Sequence, residues 1–86
     1  MYKVFLSKKA YKDCKLLKRS GLETKARSLL RVLSKDPFQN PPRYERLRGE
    51  LDGYYSRRIN IQHRLVYSVD MKNRKVYIYR MWTRYE

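Results

Sequence analysis

The sequence predicts an α+β fold in which two N-terminal helices pack on one face of an antiparallel sheet, in the order β-α-α-β-β-β-β. Apolar residues recur at helical spacing between residues 8 and 35, and they alternate every second residue from about residue 47. The chain has 86 residues with only three Gly and three Pro, and no linker or internal repeat interrupts it. We therefore expect a single domain over residues 1–86.

The N-terminal part is predicted to form one strand and two helices. Residues 2–6 favour a short strand, and Ser7 is a good N-cap for a helix over residues 8–20 that Gly21 can end in a left-handed turn. A second helix is predicted over residues 22–35. It ends before Pro37, because the residue that precedes a proline avoids helical geometry.

The second half is predicted to form four strands after a loop at residues 38–44. They are expected at residues 47–51, 54–61, 63–69 and 75–82. The first two are joined by Asp52-Gly53, a pair typical of a tight β-hairpin turn. Residues 70–74 form the turn before the last strand.

Strand alternation predicts that two arginines share one face of the sheet. If Ile59, Ile61 and Leu65 face the helices, Arg58 and Arg64 both point to the open face. Two arginines there could clamp a phosphate, since the guanidinium fork suits phosphate oxygens. The alternative is a pair of surface arginines satisfied by nearby carboxylates, and the alternation leaves both interpretations open.

The charge points to an anionic partner. Twenty-two Lys and Arg against eight Asp and Glu give a net charge of +14, which favours nucleic acid or another polyanion over a basic protein with no specific partner. Residues 1–35 hold eight Lys and three Arg, whereas residues 43–64 hold six Arg and no Lys. We expect general electrostatic attraction from the first region and geometric phosphate recognition from the second.

Targeting features are consistent with a cytoplasmic protein. No apolar run approaches the roughly 20 residues of a membrane span, and the N-terminus lacks the pattern of a signal peptide. The single cysteine, Cys14, excludes an internal disulfide. We therefore expect a cytoplasmic protein with no membrane partner.

Two motifs resemble a known family. The run ERLRGELDGYYSRRI at residues 45–59, followed by HRLVY at 63–67 and an aromatic tail, resembles the YoeB/Txe family of bacterial toxin–antitoxin toxins. The likeness extends over nearly the whole chain and includes Pro37-Phe38. It implies a RelE-like fold and an endoribonuclease that cleaves mRNA at the ribosomal A site. It also implies a cognate Phd/YefM-like antitoxin with an acidic C-terminal segment, and a homodimer is possible.

The resemblance also implies roles for individual residues. Glu45 matches the family's catalytic glutamate, and Arg58 and Arg64 match its two phosphate-facing arginines. Arg48 stands where the family has a basic residue, and Tyr85 matches its C-terminal tyrosine, which we expect to stack on a base. No metal or cofactor is needed if the ribose 2′-OH attacks the adjacent phosphate with Glu45 as its base.

Arg84 departs from the family pattern, which usually has histidine at this position as the general acid. Arginine has a pKa above about 12 and is a poor proton donor, although it can neutralise the leaving oxygen electrostatically. Three explanations are compatible with it. It can be a natural substitute in a slower enzyme, the ribosome or another residue can supply the proton, or it can have been introduced to disarm the protein.

The remaining candidates have competing structural interpretations. His63 and Cys14 are expected to be structural, and one His with one Cys makes no metal site. Of the nine tyrosines, Tyr85 together with Tyr54 or Tyr55 is expected to meet RNA. A stripe on the first helix is either a solvated face or a contact for ribosomal RNA, and it consists of Lys8, Lys12, Lys15 and Arg19.

Two other functions are compatible with such a chain. One is a ParE-like toxin that poisons DNA gyrase, against which the set of Glu45, Arg58 and Arg64 argues. The other is a non-catalytic RNA-binding module, which Arg84 favours.

Overall fold

The computed structural model describes residues 1–84, with Arg84 described by its backbone alone. The elements are β1 Lys3–Leu6, α1 Lys8–Arg19, α2 Glu23–Lys35, β2 Tyr44–Arg46, a 3-10 turn Gly49–Leu51, β3 Tyr55–Arg58, β4 His63–Asp70 and β5 Lys75–Arg84. The strands form one sheet in the order β1-β5-β4-β3-β2. The predicted α+β class and the element order are confirmed, with the 3-10 turn as the addition.

Capping and backbone signals mark both ends of α1 and the C-terminal end of α2, as the sequence predicts. The Ser7 hydroxyl accepts a hydrogen bond from the Ala10 amide at 3.0 Å, and Gly21 follows α1 with a φ of 72°. Asp36 leaves helical geometry immediately before Pro37. Neither helix of the described chain is long and apolar enough to cross a membrane.

One strand pairing differs from the predicted antiparallel sheet. β1 runs parallel to β5, whereas the β2–β3, β3–β4 and β4–β5 pairs are antiparallel. Both helices lie between β1 and the later strands along the chain, which gives a connection long enough for a parallel pairing. β1 therefore adds to the free edge of β5.

The predicted hairpin over residues 47–61 is wrong in its boundaries. Its first strand is Tyr44–Arg46, and residues 49–51 form a 3-10 turn rather than a strand. The cause is Gly49, whose φ of 72° turns the chain out of the sheet. As a result, Glu45 lies within a paired strand, opposite Ser56.

β3 ends earlier than the apolar alternation predicts. It stops at Arg58, because the Asn60 side chain accepts hydrogen bonds from the Gln62 and His63 amides at 2.9 and 2.7 Å and forms a local turn. Ile59 is fully buried, but Ile61 is 81% exposed. The expectation that both isoleucines face the helices is therefore wrong for Ile61.

The core lies between the helices and one face of the sheet. Leu17, Leu29 and Leu33 of the helices pack in one cluster with Leu65 and Tyr67 of β4. Burial raises the pKa of Tyr67 to about 12, and its hydroxyl donates to the Pro37 carbonyl at 2.9 Å.

A buried carboxylate connects α1 to β5. Asp13 is 4% exposed and accepts hydrogen bonds from Arg80 Nε and the Met81 amide, both at 2.9 Å. The same hydrogen-bonded contact raises the pKa of Arg80. The neighbouring Cys14 is partly buried against the core, as expected. The pKa of its thiol is raised, mainly by burial and secondarily by the negative charge of Asp13.

Candidate active site

β3 and β4 bring the two predicted phosphate-binding arginines side by side. Arg58 and Arg64 are directly opposite each other in the antiparallel pairing, so their side chains leave the same face of the sheet. Ser56 shares that face, and its partner on β2 is Glu45. Leu65, the residue after Arg64 in β4, packs into the core on the other face. Glu45, Arg58 and Arg64 therefore lie on one face, as the alternation predicts for the arginines.

The three side chains line a common cavity of about 290 Å³. Its walls come from α2, the segment before β2, and strands β2, β3 and β4, and they consist of Lys25, Leu29, Pro42, Arg43, Glu45, Ser56, Arg58 and Arg64. The sequence suggested that Arg58 and Arg64 lie on an open face of the sheet. In the structure this face is partly covered, because α2 forms one wall of the cavity. The cavity could enclose a nucleotide-sized group against the sheet.

The electrostatics of the cavity favour an anion. Its lining holds four cationic side chains, Lys25, Arg43, Arg58 and Arg64, and one carboxylate, Glu45. The Glu45 carboxylate lies 3.7 Å from Arg43 Nη2, and its side chain is 40% exposed. A contact of this length and exposure is weak, so the carboxylate stays accessible to a ligand.

Arg57, by contrast, is built into the fold. It is 1% exposed and points to the core face, where its guanidinium donates to the carbonyls of Pro37, Gln39 and Pro42. The guanidinium carbon Cζ of Arg57 also lies 5.0 Å from the centre of the Tyr44 ring, at cation–π distance. Of the three arginines that stand out in β3 and β4, this one holds the 37–42 segment in place.

The other implied site residues are not all in the cavity. Arg48 is exposed beside the 3-10 turn and does not line the cavity. The backbone of Arg84 pairs with His63, and that of Thr83 with Arg64, so β5 ends next to the arginine pair. The side chain of Arg84 and the whole of Tyr85 lie outside the described residues.

His63 has a structural environment. Its ring stacks on Trp82 with the ring centres 3.8 Å apart, and the residue is 6% exposed. It does not line the cavity. Within residues 1–84, no three His, Cys, Asp or Glu side chains are grouped so that they could hold a metal ion.

The structure adds two cations to the site that sequence reasoning missed. Lys25 enters the cavity from α2, and Arg43 enters it from the segment before β2. No local signal marks Lys25, since it is one exposed lysine among several and only the packing of α2 brings it to the cavity. Arg43 belongs to the arginine-rich region but had no assigned role.

The lysine stripe is a separate exposed surface. Lys8, Lys12, Lys15 and Arg19 all lie exposed on α1, and none of them lines the cavity. Whether this stripe contacts RNA can therefore be tested apart from the cavity.

We expect replacement of all four stripe residues by glutamine to weaken binding to ribosomal RNA and to flatten its salt dependence. Each lost phosphate contact should reduce the slope of log K against log salt by roughly one. The matched control replaces Arg31, Lys35, Lys72 and Arg74, which are also exposed and leave the same net charge. Equal slopes for the two variants would show that the stripe is only a solvated face.

Comparison with protein families gives a match over almost the whole chain. A family model described as the YoeB-like toxin of bacterial type II toxin–antitoxin systems matches residues 6–85. Among curated relatives, a protein named Toxin YoeB from Synechocystis is 46% identical over 57 residues, which are 66% of this chain and 59% of that protein. The match therefore spans less than two thirds of this relative's length.

Solved structures show the same fold. A YoeB/ParE toxin from Agrobacterium tumefaciens superposes with a TM-score of 0.85 at 27% identity, covering 96% of this chain and 99% of the other. The toxin in a heterotetrameric YoeB–YefM toxin–antitoxin complex from Staphylococcus aureus gives a TM-score of 0.81 at 31% identity, covering 99% of each chain.

Proposed function

This chain belongs to the YoeB-like toxins of bacterial type II toxin–antitoxin systems, and from that premise we propose that it is a ribosome-dependent endoribonuclease acting in the cytoplasm. It cleaves mRNA at the A site through the cavity that Glu45, Arg58 and Arg64 line. That shared cavity is the observation that carries the proposal, because it groups one carboxylate with two guanidinium groups, the set that this chemistry needs as a base and as phosphate-binding groups.

The chemistry proceeds through the RNA's own 2′-hydroxyl. Glu45 accepts the proton as the 2′-oxygen attacks the adjacent phosphorus, and Arg58 and Arg64 stabilise the negative charge that develops on the phosphorane. The bond to the 5′-oxygen then breaks, and that oxygen takes up a proton. The products are a 2′,3′-cyclic phosphate and a 5′-hydroxyl, so the step needs no metal or cofactor.

The C-terminal pair has supporting roles in this scheme. Arg84 would neutralise the leaving 5′-oxygen electrostatically, while Tyr85 would stack on a base next to the scissile phosphate. Stacking of this kind contributes about 1–3 kcal/mol per base. Arg48, exposed outside the cavity, would contact the RNA backbone on either side of it.

The partners follow from the same proposal. They are the ribosome with its mRNA and a Phd/YefM-like antitoxin, whose acidic C-terminal segment would neutralise the +14 charge. The toxin in the Staphylococcus aureus complex, described as a YoeB–YefM assembly, supports an antitoxin of this kind.

We test the proposal by primer extension on an mRNA translated in a purified system. We expect discrete cuts within codons that require translation. Replacing Arg58 or Arg64 by glutamine should lower the cleavage rate by about 10²–10³-fold, because each substitution removes a cationic group that stabilises the negative charge developing on the phosphorane. The control is Arg46→Gln, which changes an exposed arginine beside Glu45 that contacts Asp52 instead.

The outcomes separate the proposal from the RNA-binding module. If arginine variants and the parent protein give the same cuts, the catalytic assignment fails. If the parent binds RNA but gives no cuts, and Arg84→His gives none either, the chain acts as a non-catalytic binding module.

A further inference from the structure

A second group of aromatic side chains lies on the same sheet face as the catalytic cavity. Phe5 on β1 pairs with Tyr77 on β5, and Tyr77 is also opposite Ser68 on β4. Ser68 shares its face with Arg64, four residues earlier in β4. Tyr54, the residue that precedes β3, reaches the same surface and contacts Tyr79.

These rings form a shallow platform that solvent can reach. Phe5 and Tyr77 are stacked with centres 5.6 Å apart, and Tyr54 and Tyr79 lie 5.5 Å apart. Phe5 and Tyr77 are each 43% exposed, and Tyr79 is 40% exposed. A groove of about 170 Å³ runs between the two pairs. Exposed aromatic faces grouped in this way are the kind of surface on which bases stack.

Cations border the platform at its outer end. Lys3 and Lys75 are neighbours in the β1–β5 pairing, on the same face as Phe5 and Tyr77. The Lys75 ammonium lies 5.9 Å from the centre of the Phe5 ring. The one carboxylate opposite Lys75 belongs to Asp70, which is hydrogen-bonded to Asn73 at 2.9 Å. Two lysines beside stacked rings suit a phosphate next to a stacked base.

The platform is continuous with the catalytic cavity. Tyr54, immediately before β3, and Ser56 and Arg58 within it follow one another at two-residue spacing, so one side of this segment connects the two sites. The strand rise separates Tyr54 from Arg58 by about 13 Å. A single strand held at the cavity could therefore continue across the sheet to the platform.

We propose that the platform of Phe5, Tyr54, Tyr77 and Tyr79 binds bases of single-stranded RNA that flank the cleaved nucleotide. The inference rests on the proposed function, because it treats the RNA in the cavity as the same molecule. Exposed rings with Lys3 and Lys75 beside them suit the bases and phosphates of one RNA strand, and a second copy of the chain on this face is the competing occupant that the test distinguishes. The platform therefore extends the RNA site along the sheet.

The experiment measures binding of a single-stranded 2′-O-methyl oligoribonucleotide, which has no 2′-hydroxyl to attack the phosphate. We expect the double variant Tyr77→Ser, Tyr79→Ser to bind it at least about 5-fold more weakly, as loss of one stacked base predicts. Tyr77→Phe, Tyr79→Phe retains the rings and should keep the affinity. The control Tyr11→Ser removes a 70% exposed tyrosine from α1.

Unchanged affinity of the serine variant would overturn the inference, and a loss shared by the phenylalanine variant would do the same. So would a change in oligomeric mass, measured by sedimentation, without a change in affinity, because the face would then be an interface between copies. Equal losses for single-stranded and duplex RNA would also exclude stacking. If the proposed nuclease function is wrong, a different experiment shows it, because no cuts would then appear in the translation system.

Discussion

Replacing Arg57 by methionine should lower the free energy of unfolding by about 3–5 kcal/mol, because it leaves several carbonyl acceptors unsatisfied at roughly 1–3 kcal/mol for each buried one. The side chain is 1% exposed and donates to three carbonyl groups, those of Pro37, Gln39 and Pro42. Methionine fills a similar volume but donates no hydrogen bond. The carbonyls in the buried part of the segment would lose their partners.

The measurement is urea denaturation of the full chain, compared with Arg58→Met as the matched control. Arg58 is the next residue in β3 and is exposed, so its replacement should cost less than about 1 kcal/mol. Arg57→Lys should lie between the two, because an ammonium cannot reach three separated carbonyls in one plane. Equal midpoints for the methionine variants would show that Arg57 does not hold the 37–42 segment.

Arg57 also acts on the site through the chain. The segment that it holds leads directly to Arg43 and Glu45, which line the cavity. We infer that Arg57 is a positioning residue whose loss would move Glu45 relative to Arg58 and Arg64. Neighbouring arginines in β3 therefore lie on opposite faces of the sheet: Arg57 is buried against the 37–42 segment, and Arg58 lines the cavity.

The sequence could predict the elements whose signals are local. Ser7, Gly21 and Pro37 mark the helix ends through capping and backbone geometry, and the helices lie where these residues predict. The hairpin after α2 could not be read in the same way. The Asp52-Gly53 pair resembles a tight turn, but the left-handed Gly49 had already taken the chain out of the sheet.

In the candidate site, too, the sequence predicts the features that depend on local pattern and misses those that depend on packing. Two-residue alternation correctly placed Arg58 and Arg64 on one face, whereas the link to Glu45 came from resemblance to a family. Lys25 and the contact of Asp13 with Arg80 join residues that are distant in sequence. No local pattern encodes such contacts, because they depend on how the helices pack on the sheet.

The alternation puts Arg57 on the same face as Ile59, but it could not show that a charged side chain would be buried there. A buried arginine is rare, and the usual expectation places such a side chain in solvent or on a ligand. The three carbonyls that accept hydrogen bonds from Arg57 come from a segment at least fifteen residues away, whose path the sequence does not indicate. A buried guanidinium whose two terminal nitrogens donate to three carbonyls is therefore a feature that only the folded chain shows.

Arg84→His should raise the rate of mRNA cleavage by about 10²–10⁴-fold, the usual contribution of a general acid. Histidine can donate a proton to the leaving 5′-oxygen near neutral pH, whereas arginine stays protonated throughout. The acid must hold its proton to act, so the gain should diminish as the pH rises through the range in which histidine loses its charge. The rate with arginine should show no such loss from this position.

The double variant Glu45→Gln, Arg84→His decides whether this gain belongs to the proposed chemistry. Glutamine keeps the size of Glu45 but cannot accept the 2′-OH proton, so we expect the gain to disappear and cleavage to fall by about 10²–10⁴-fold.

Arg43→Gln is the matched control, since it breaks the 3.7 Å contact with Glu45 and leaves the carboxylate in place. If Glu45 served only that contact, Arg43→Gln and Glu45→Gln would lower the rate equally. A much larger loss for Glu45→Gln identifies the carboxylate as the base. If Arg84→His brings no gain while Glu45→Gln still abolishes cleavage, the proton for the leaving oxygen comes from the ribosome or from another residue.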